Sequence, residues 1–428
     1  MAGQETWNNA GSATNAYVVN PELESRIYYE STYRALFGKL NEGREVTTVR
    51  ITYGDDVKVI DSGNSSPVWE KKFTQGNEVR FTMREENKGM ATYGPADVGS
   101  GDFAKYYHCE TFVRQVDSPA YPIVDAESEQ LIKAVIPDLV KVEKDNIAVW
   151  RGKEVDLDAF RTIFMGASRG LLDTTNGGMG MTLYNATAGA QRSCYNNVLA
   201  SGTSLITPSV TVATHEASLS TALATMSDDD AYAMTYAAHR KGSEFITALN
   251  FKPVKYAGEE FRALAITDPR NMDRLFSADT TLEGKFRYAT ERSMKNKSLY
   301  RMKAVMLDDI LYIPASQIAF FRPTADGSTV AYGAANTSDP RSDAFSNSSN
   351  ICPTIYMGAG ALLRGRRKNV NVTADYGRHG KGASYCVHYQ DGWVRREWGT
   401  QDDRTKMKND SMLIMWAYDP GVGVTYQA

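Results

Sequence analysis

The chain is poor in cysteine: only Cys109, Cys194, Cys352 and Cys386 occur, with no Cys-x-x-Cys pair. That spacing excludes zinc ribbons and thioredoxin-type motifs and fits a reduced compartment. No apolar run is long enough to cross a bilayer as a helix, so no membrane partner is expected. The start, Met1-Ala2-Gly3-Gln4-Glu5, lacks the basic-then-apolar layout of a secretory signal. Neither charge sign is in excess, with 48 Lys and Arg against 51 Asp and Glu for a net charge of -3. Totals alone therefore imply neither a nucleic-acid-binding nor a membrane-binding surface. The five histidines, His108, His215, His239, His379 and His388, show no metal-ligand spacing and are expected to be surface or partly buried polar groups.

What is present is an ordinary globular composition, 42% apolar over 428 residues, enough for two or three domains around a sizeable core. The organising stretch is Ala126 to Asp173. Apolar residues recur there at Leu131/Ile132, Val135/Ile136 and Leu139/Val140, then at Leu157, Phe160, Ile163/Phe164, Ala167 and Leu171, one helical stripe. Asp125, Glu127 and Glu129 suit its start, whereas Pro137 predicts a kink and Arg151-Gly152-Lys153 a break. A long, interrupted helical spine is expected.

Before the spine, Met1 to Val19 carries no periodicity and reads as an arm that orders only against a neighbour. Asn20-Pro21-Glu22 starts a short amphipathic helix through Leu23, Ile27, Leu36, Phe37 and Leu40. Strand-like runs follow at Val46–Tyr53, Val57–Ile60, Val79–Met83 and Tyr106–Val113. Between them, Arg84 to Lys105 has few apolar anchors, so the stretch predicts a protruding two-stranded excursion of the kind that is usually functional.

After the spine, Ser227-Asp228-Asp229-Asp230 opens a helix expected to end in His239-Arg240-Lys241 before Gly242. A hairpin is expected for Phe251–Tyr256 and Phe261–Thr267, then a capped helix from Asp268-Pro269. Strands are expected at Ala304–Leu307, Ile310–Ile313, Ile318–Phe321 and Val370–Thr373. Pro323 to Asn350 reads as a polar insertion. Ala383–Tyr389 is expected to turn at Asp391-Gly392 into Trp393–Trp398, with a last strand at Met412–Tyr418.

Five stretches in order carry a resemblance: Gly76-Asn77-Glu78-Val79-Arg80-Phe81, Lys252 to Phe261, Ala265-Ile266-Thr267-Asp268-Pro269, Asp308 to Pro314, and Ala374-Asp375-Tyr376-Gly377. From about Pro21 to the C-terminus the chain resembles the major capsid proteins of tailed bacteriophages, with the Hong Kong 97-type fold, in the branch found in certain short-tailed phages. Two departures are a Trp150–Asp158 insertion between helical segments and a long Pro323–Asn350 loop. The resemblance implies an α+β fold with an N-terminal arm and first helix (1–43) and an extended β-hairpin loop (44–124). It further implies a peripheral domain with the spine helix (125–205 and 345–402) and an axial domain (206–344 and 403–428). Its implied function is self-assembly, in pentamers and hexamers, into the icosahedral head shell around double-stranded DNA. The protein would be a virion component assembled in the host cytoplasm. Further implied partners are a separate scaffolding protein, a portal, a decoration protein and non-specifically packaged DNA.

The loop is expected to lie over a neighbour. Trp69, Phe73, Phe81 and Tyr93 would bury apolar surface there, and Lys71, Lys72, Arg80, Arg84 and Lys88 would set register. Some relatives cross-link a loop lysine to an asparagine, a role open to Lys88. Deleting Arg84–Lys105 should leave a folded subunit that forms no shells. Two basic clusters, Lys285–Lys303 and Arg364-Gly365-Arg366-Arg367-Lys368, suit solvated charge, a subunit contact or packaged DNA.

Chemistry is weakly signalled. Gly166-Ala167-Ser168-Arg169-Gly170 satisfies Gly-x-Ser-x-Gly, with Asp228 and His239 following in permissible order for a serine hydrolase. Helical spacing runs straight through it, where a nucleophile elbow needs a strand and then a helix. Gly377-Arg378-His379-Gly380-Lys381-Gly382 lacks the layout that wraps phosphates. No catalytic residue, cofactor or metal is expected. The alternatives to a viral shell are the Ser168 hydrolase and a non-viral, encapsulin-type compartment of the same fold.

Overall fold

A computed structural model describes residues 36–37, 48–50, 58–60, 65–73, 78–84, 106–112, 114–117, 121–122, 139–165, 196–201, 205–206, 218–219, 221–223, 226, 230–256, 259–277, 304–321, 350–367, 371–376, 383–396, 398–400, 403–408 and 410–419. In chain order its strands begin with β1 (Thr48–Arg50), β2 (Lys58–Ile60), β3 (Val68–Phe73), β4 (Glu78–Arg84), β5 (Tyr106–Phe112), β6 (Arg114–Asp117) and β7 (Tyr121–Pro122). Helix α1 (Leu139–Met165) follows, then β8 (Asn197–Leu199), β9 (Leu205–Ile206) and α2 (Tyr236–Ala248). Next come β10 (Val254–Tyr256), β11 (Glu259–Phe261), β12 (Ala263–Thr267), α3 (Pro269–Ser277), β13 (Val305–Leu307) and β14 (Ile310–Pro314). The last strands are β15 (Ile351–Met357), β16 (Leu362–Arg367), β17 (Asn371–Tyr376), β18 (Ala383–Arg395), β19 (Trp398–Thr400), β20 (Asp403–Lys408) and β21 (Met412–Tyr418).

Two sheets carry the core. A seven-stranded mixed sheet runs β13-β14-β12-β15-β21-β8-β9. Its central strands, Ala-Leu-Ala-Ile-Thr, Ile-Cys-Pro-Thr-Ile-Tyr-Met and Met-Leu-Ile-Met-Trp-Ala-Tyr, are near-continuous apolar runs because both faces are covered. One face sends Leu264, Ile266, Ile355, Ile414 and Trp416 against Phe160, Ile163 and Phe164 of α1. The other sends Ala265, Tyr312, Tyr356 and Met415 against Ala238 and Ile246 of α2 and Leu275 of α3. The second sheet pairs β17, β18, β16 and β3, with β6 and β7 on β18. Its β3–β16 pair is parallel.

Helix α1 bridges the sheets. Phe164 lies 5.9 Å from Trp416, while Phe160 meets Phe37 at 5.0 Å and Phe37 meets Trp393 of the six-stranded sheet at 6.3 Å. Arg395 of β18 donates to the Ile163 carbonyl at 2.7 Å. Each such aromatic side chain contributes about 1.5–3 kcal/mol by leaving water, so the spine joins two layers that would otherwise separate.

Several expectations need correction. The break at Arg151-Gly152-Lys153 is absent: α1 runs unbroken from Leu139 to Met165, and the Trp150–Asp158 insertion is part of it. Local tethers hold that stretch helical, since Asp156 accepts the Leu36 and Phe37 amides at 2.8 and 3.0 Å and Asp158 pairs with Arg161 at 3.0 Å. Tertiary contacts of this kind exceed the cost of one helical glycine, about 1 kcal/mol. Pro137 and the acidic start lie outside the described residues, as does the arm.

The acidic helix begins later than expected. Asp230–Tyr232 is a 3-10 turn, and α2 starts after Thr235, whose hydroxyl accepts the Ala238 amide, then passes through Gly242. Glycine leaves room there, since a Cβ at Gly242 would stand 3.0 Å from the Tyr356 hydroxyl and 3.2 Å from Met415. Ser316–Phe321 is a 3-10 turn where a strand was expected. Asp391-Gly392 does not turn; β18 continues through it, with Gly392 opposite Gly365 and Asp391 opposite Arg366. The strands at 48–50, 58–60, 78–84 and 106–112 and the Asp268-capped α3 fall where the sequence places them. The expected hairpin changes partner: β10 pairs with Glu259–Phe261, while Ala263–Thr267, within the run expected as its second strand, pairs with β14 and β15 in the seven-stranded sheet.

Candidate functional site

The excursion forms a ribbon. β4 and β5 pair antiparallel from Glu78↔Phe112 to Arg84↔Tyr106, apart from the two core sheets. Its roots lie in the six-stranded sheet: β3, four residues before β4, pairs with β16, and β6, one residue after β5, pairs with β18.

At those roots sits a cluster of buried charge. Glu70 of β3 stands opposite Arg364 of β16, and its carboxylate contacts Arg364 at 3.5 Å and pairs with Arg366. Arg364 also donates to Asp391 of β18. Its guanidinium lies 4.9 Å from the Trp393 ring centre. All four charged side chains are under 10% exposed. Two cations and two anions cancel, which is what allows them to be buried; removing one partner strands the rest at a cost of about 3–5 kcal/mol. On the other face of β3, Trp69 packs onto Gly360, whose amide donates to Ser66 at 2.8 Å, and Arg396 lies 5.5 Å from the Trp69 ring centre.

This geometry corrects four expected contacts. Arg364 and Arg366 are not solvated and offer no basic face to DNA or to another subunit, because Glu70 and Asp391 hold them within the chain. Trp69 and Phe81, expected to await a neighbour, are 2% and 0% exposed in their own chain. Lys71 lies half-buried on β3. Lys72, Phe73, Arg80, Arg84 and Arg367 stand on described strands without described side chains. Lys88, Tyr93, Lys368 and the Lys285–Lys303 cluster lie outside the described residues. Sequence reasoning missed the pairing of Glu70 and Asp391; the available signal was an acid within each of two strand-like runs, Val68–Phe73 and Ala383–Arg395.

His239 is fully buried rather than a surface group. Its Nδ1 lies 2.6 Å from the Tyr312 hydroxyl and its Nε2 3.3 Å from Asp308 Oδ2, while Tyr236 donates to Asp308 at 2.8 Å. Tyr312 in turn meets the Tyr356 hydroxyl at 3.0 Å. The connectivity mimics a nucleophile-base-acid triad, yet Tyr312 is fully buried, and burial first, then Tyr356, pushes its phenol up, the reverse of activation. Ser168 and Asp228 lie outside the described residues; His239 is already committed to Tyr312 and Asp308. Among the described residues no His, Cys, Asp and Glu group could hold a metal, and no helix is long and apolar enough to cross a membrane.

No family model matches the chain, and no curated protein matches it in sequence. Solved structures do. The capsid of Ralstonia phage GP4 superposes with a TM-score of 0.57 at 13% identity, covering 87% of this chain and 97% of the other. The fold is that of a phage capsid protein. The capsid asymmetric unit of cyanophage Pam1 aligns likewise, with a TM-score of 0.55 at 12% identity over 89% and 98% of the two chains.

Proposed function

We propose that this chain is the major capsid protein of a tailed phage, a subunit of the icosahedral head shell around double-stranded DNA. The observation carrying this reading is the likeness to two phage capsids over 87% and 89% of the chain. The ribbon supports it: a two-stranded sheet is marginal alone in water, its own chain covers Val79 and Phe81, and a neighbouring copy adds cover further along. Rings of such head-to-tail contacts, joined at suitable angles, close into a shell.

We assign the fold to the Hong Kong 97 type. The peripheral domain is the six-stranded sheet with α1; the axial domain is the seven-stranded sheet with α2 and α3. The boundary between them then lies between Met357 and Leu362 rather than at residue 345, since β15 pairs with β12 and β21. The loop residues proposed to touch a neighbour reduce to Lys71, Lys72, Phe73, Arg80, Arg84, Lys88 and Tyr93. Arg367 and Lys368 remain as basic candidates for a subunit or DNA contact. Beyond copies of itself in pentamers and hexamers, the proposed partners are a scaffolding protein, a portal and a decoration protein, met in the host cytoplasm.

Electron microscopy of the protein produced with its scaffolding partner tests the reading, with closed shells of uniform diameter as the expected product. Nuclease-protected DNA inside particles from infected cells supports a viral head. Protein cargo instead of DNA indicates a non-viral compartment, and a monodisperse monomer at high concentration with every partner present overturns the assembly role.

A further inference from the structure

The charge cluster occupies the ground between the two roots of the ribbon. Reading across the sheet, β3, β16, β18 and β6 lie side by side. Glu70 is on the first, Arg364 and Arg366 on the second, and Asp391 on the third, where it stands opposite Arg114 of the fourth. Contacts run diagonally, Glu70 to Arg366 and Arg364 to Asp391, so the cluster crosses each strand boundary between β3 and β18.

Resting on the capsid reading, we propose that Glu70, Arg364, Arg366 and Asp391 are positioning residues. They hold β3 and β6 at one spacing and register, and so set the direction in which the ribbon leaves its own subunit to meet the next. Stability alone does not require charges here, because apolar side chains of similar volume commonly serve a buried site as well or better. Register does. A two-residue slip of β3 along β16 keeps every side chain on its face and is opposed only weakly by an apolar pattern. With the charges in place, a slip one way sets Glu70 opposite Leu362 and takes it from Arg366, and a slip the other way sets Val68 opposite Arg364 and Glu70 opposite Arg366, so that in neither does Glu70 span both arginines. Trp69 on Gly360 secures the beginning of β3; Glu70 secures the part that runs on into the ribbon. On the capsid reading the outer contact residues, Arg84, Lys88 and Tyr93, lie further along the ribbon than Lys71, Lys72 and Phe73 at its root, so a small change of angle here becomes a larger displacement there, and shell curvature is the property that registers it.

The test separates positioning from stability. A fourfold variant, Glu70→Leu, Arg364→Met, Arg366→Met and Asp391→Leu, replaces the cluster by apolar volume, and Glu70→Gln removes one charge at nearly constant shape. Amide exchange of residues 68–73 and 114–117 is measured on the unassembled subunit, with α1 as the internal reference, and shell diameter is measured by electron microscopy. The fourfold variant is expected to keep the parent's thermal midpoint. Its two roots should exchange about tenfold faster or more, and its particles should be of mixed or aberrant curvature. A stable fourfold variant with parental exchange at the roots, or with uniform shells of parental diameter, overturns the proposal. Should that variant not fold, Glu70→Gln decides it: parental exchange at the roots overturns the proposal, and faster exchange there with unchanged α1 sustains it. If the parent protein itself builds no shells, the capsid reading fails, while the exchange result still decides whether the cluster holds the roots.

Discussion

Gly360 shows how much one atom matters at the junction of the two sheets. Its φ of +68° lies in the left-handed region, and a Cβ there would stand 2.6 Å from the Trp69 ring. Gly360→Ala therefore carries both backbone strain and a clash, and should cost about 2–4 kcal/mol in denaturant unfolding. Tyr356 makes a different prediction. Burial raises its phenol, like that of Tyr312, above the usual value of 10.0, with the Tyr312 hydrogen bond only partly opposing the shift. The folded protein keeps these protons when the unfolded chain loses them, so their contribution is intact below pH 10.0 and drains away as pH climbs from there toward the raised values. Tyr356→Phe should cost about 1 kcal/mol at neutral pH and flatten the fall of stability in alkali, read from unfolding midpoints between neutrality and strong alkali. None of this was visible in the sequence. Arg364 and Arg366 looked like a basic patch because their acids lie far away in the chain at Glu70 and Asp391, and only the pairing of β3, β16 and β18 cancels the charge.

Among the elements, periodicity succeeded where apolar and polar residues alternate in the sequence, and failed where packing overrides the local signal. The alternating strands β4 and β5 and the Asp-Pro start of α3 were legible. The central strand Ile351–Met357 was not, because it is apolar apart from Thr354, shows no alternation, and holds Pro353, a residue that argues against a central strand. Glycine was read as a stop at Gly152 and Gly242, yet both lie within helices. At Gly242 the absence of a side chain is what lets α2 approach Tyr356. The same override moved the start of α2 from the acidic Ser227–Asp230 to Thr235. Thr235→Ala should remove the acceptor for the Ala238 amide at 3.4 Å and lower stability by about 0.5–2 kcal/mol, checked by thermal unfolding, with Thr235→Ser restoring most of it.

For the whole chain, the order of excursion strands, spine and late strands was legible, and its likeness to capsid proteins followed from that order rather than from any single motif; the expected arm lies outside the described residues. The excursion's mode of attachment was not: two of the aromatics expected to reach a neighbour, Trp69 and Phe81, are already buried in their own chain, which leaves the proposed contact with another copy to test on the stretch 85–105, outside the described residues. That places the decisive cut. Replacing residues 85–105 by Asn-Gly closes the ribbon with a favoured two-residue hairpin turn directly after its last pair and leaves the charge cluster, β3 and β6 untouched. The subunit should keep its parental unfolding midpoint, because that stretch has few apolar side chains to give to a core. It should nevertheless form no closed shells, and mixed with intact subunits it should lower particle yield, since each shortened copy leaves a neighbour uncovered. Shells of normal diameter from the shortened chain alone would move the assembly contact away from the ribbon.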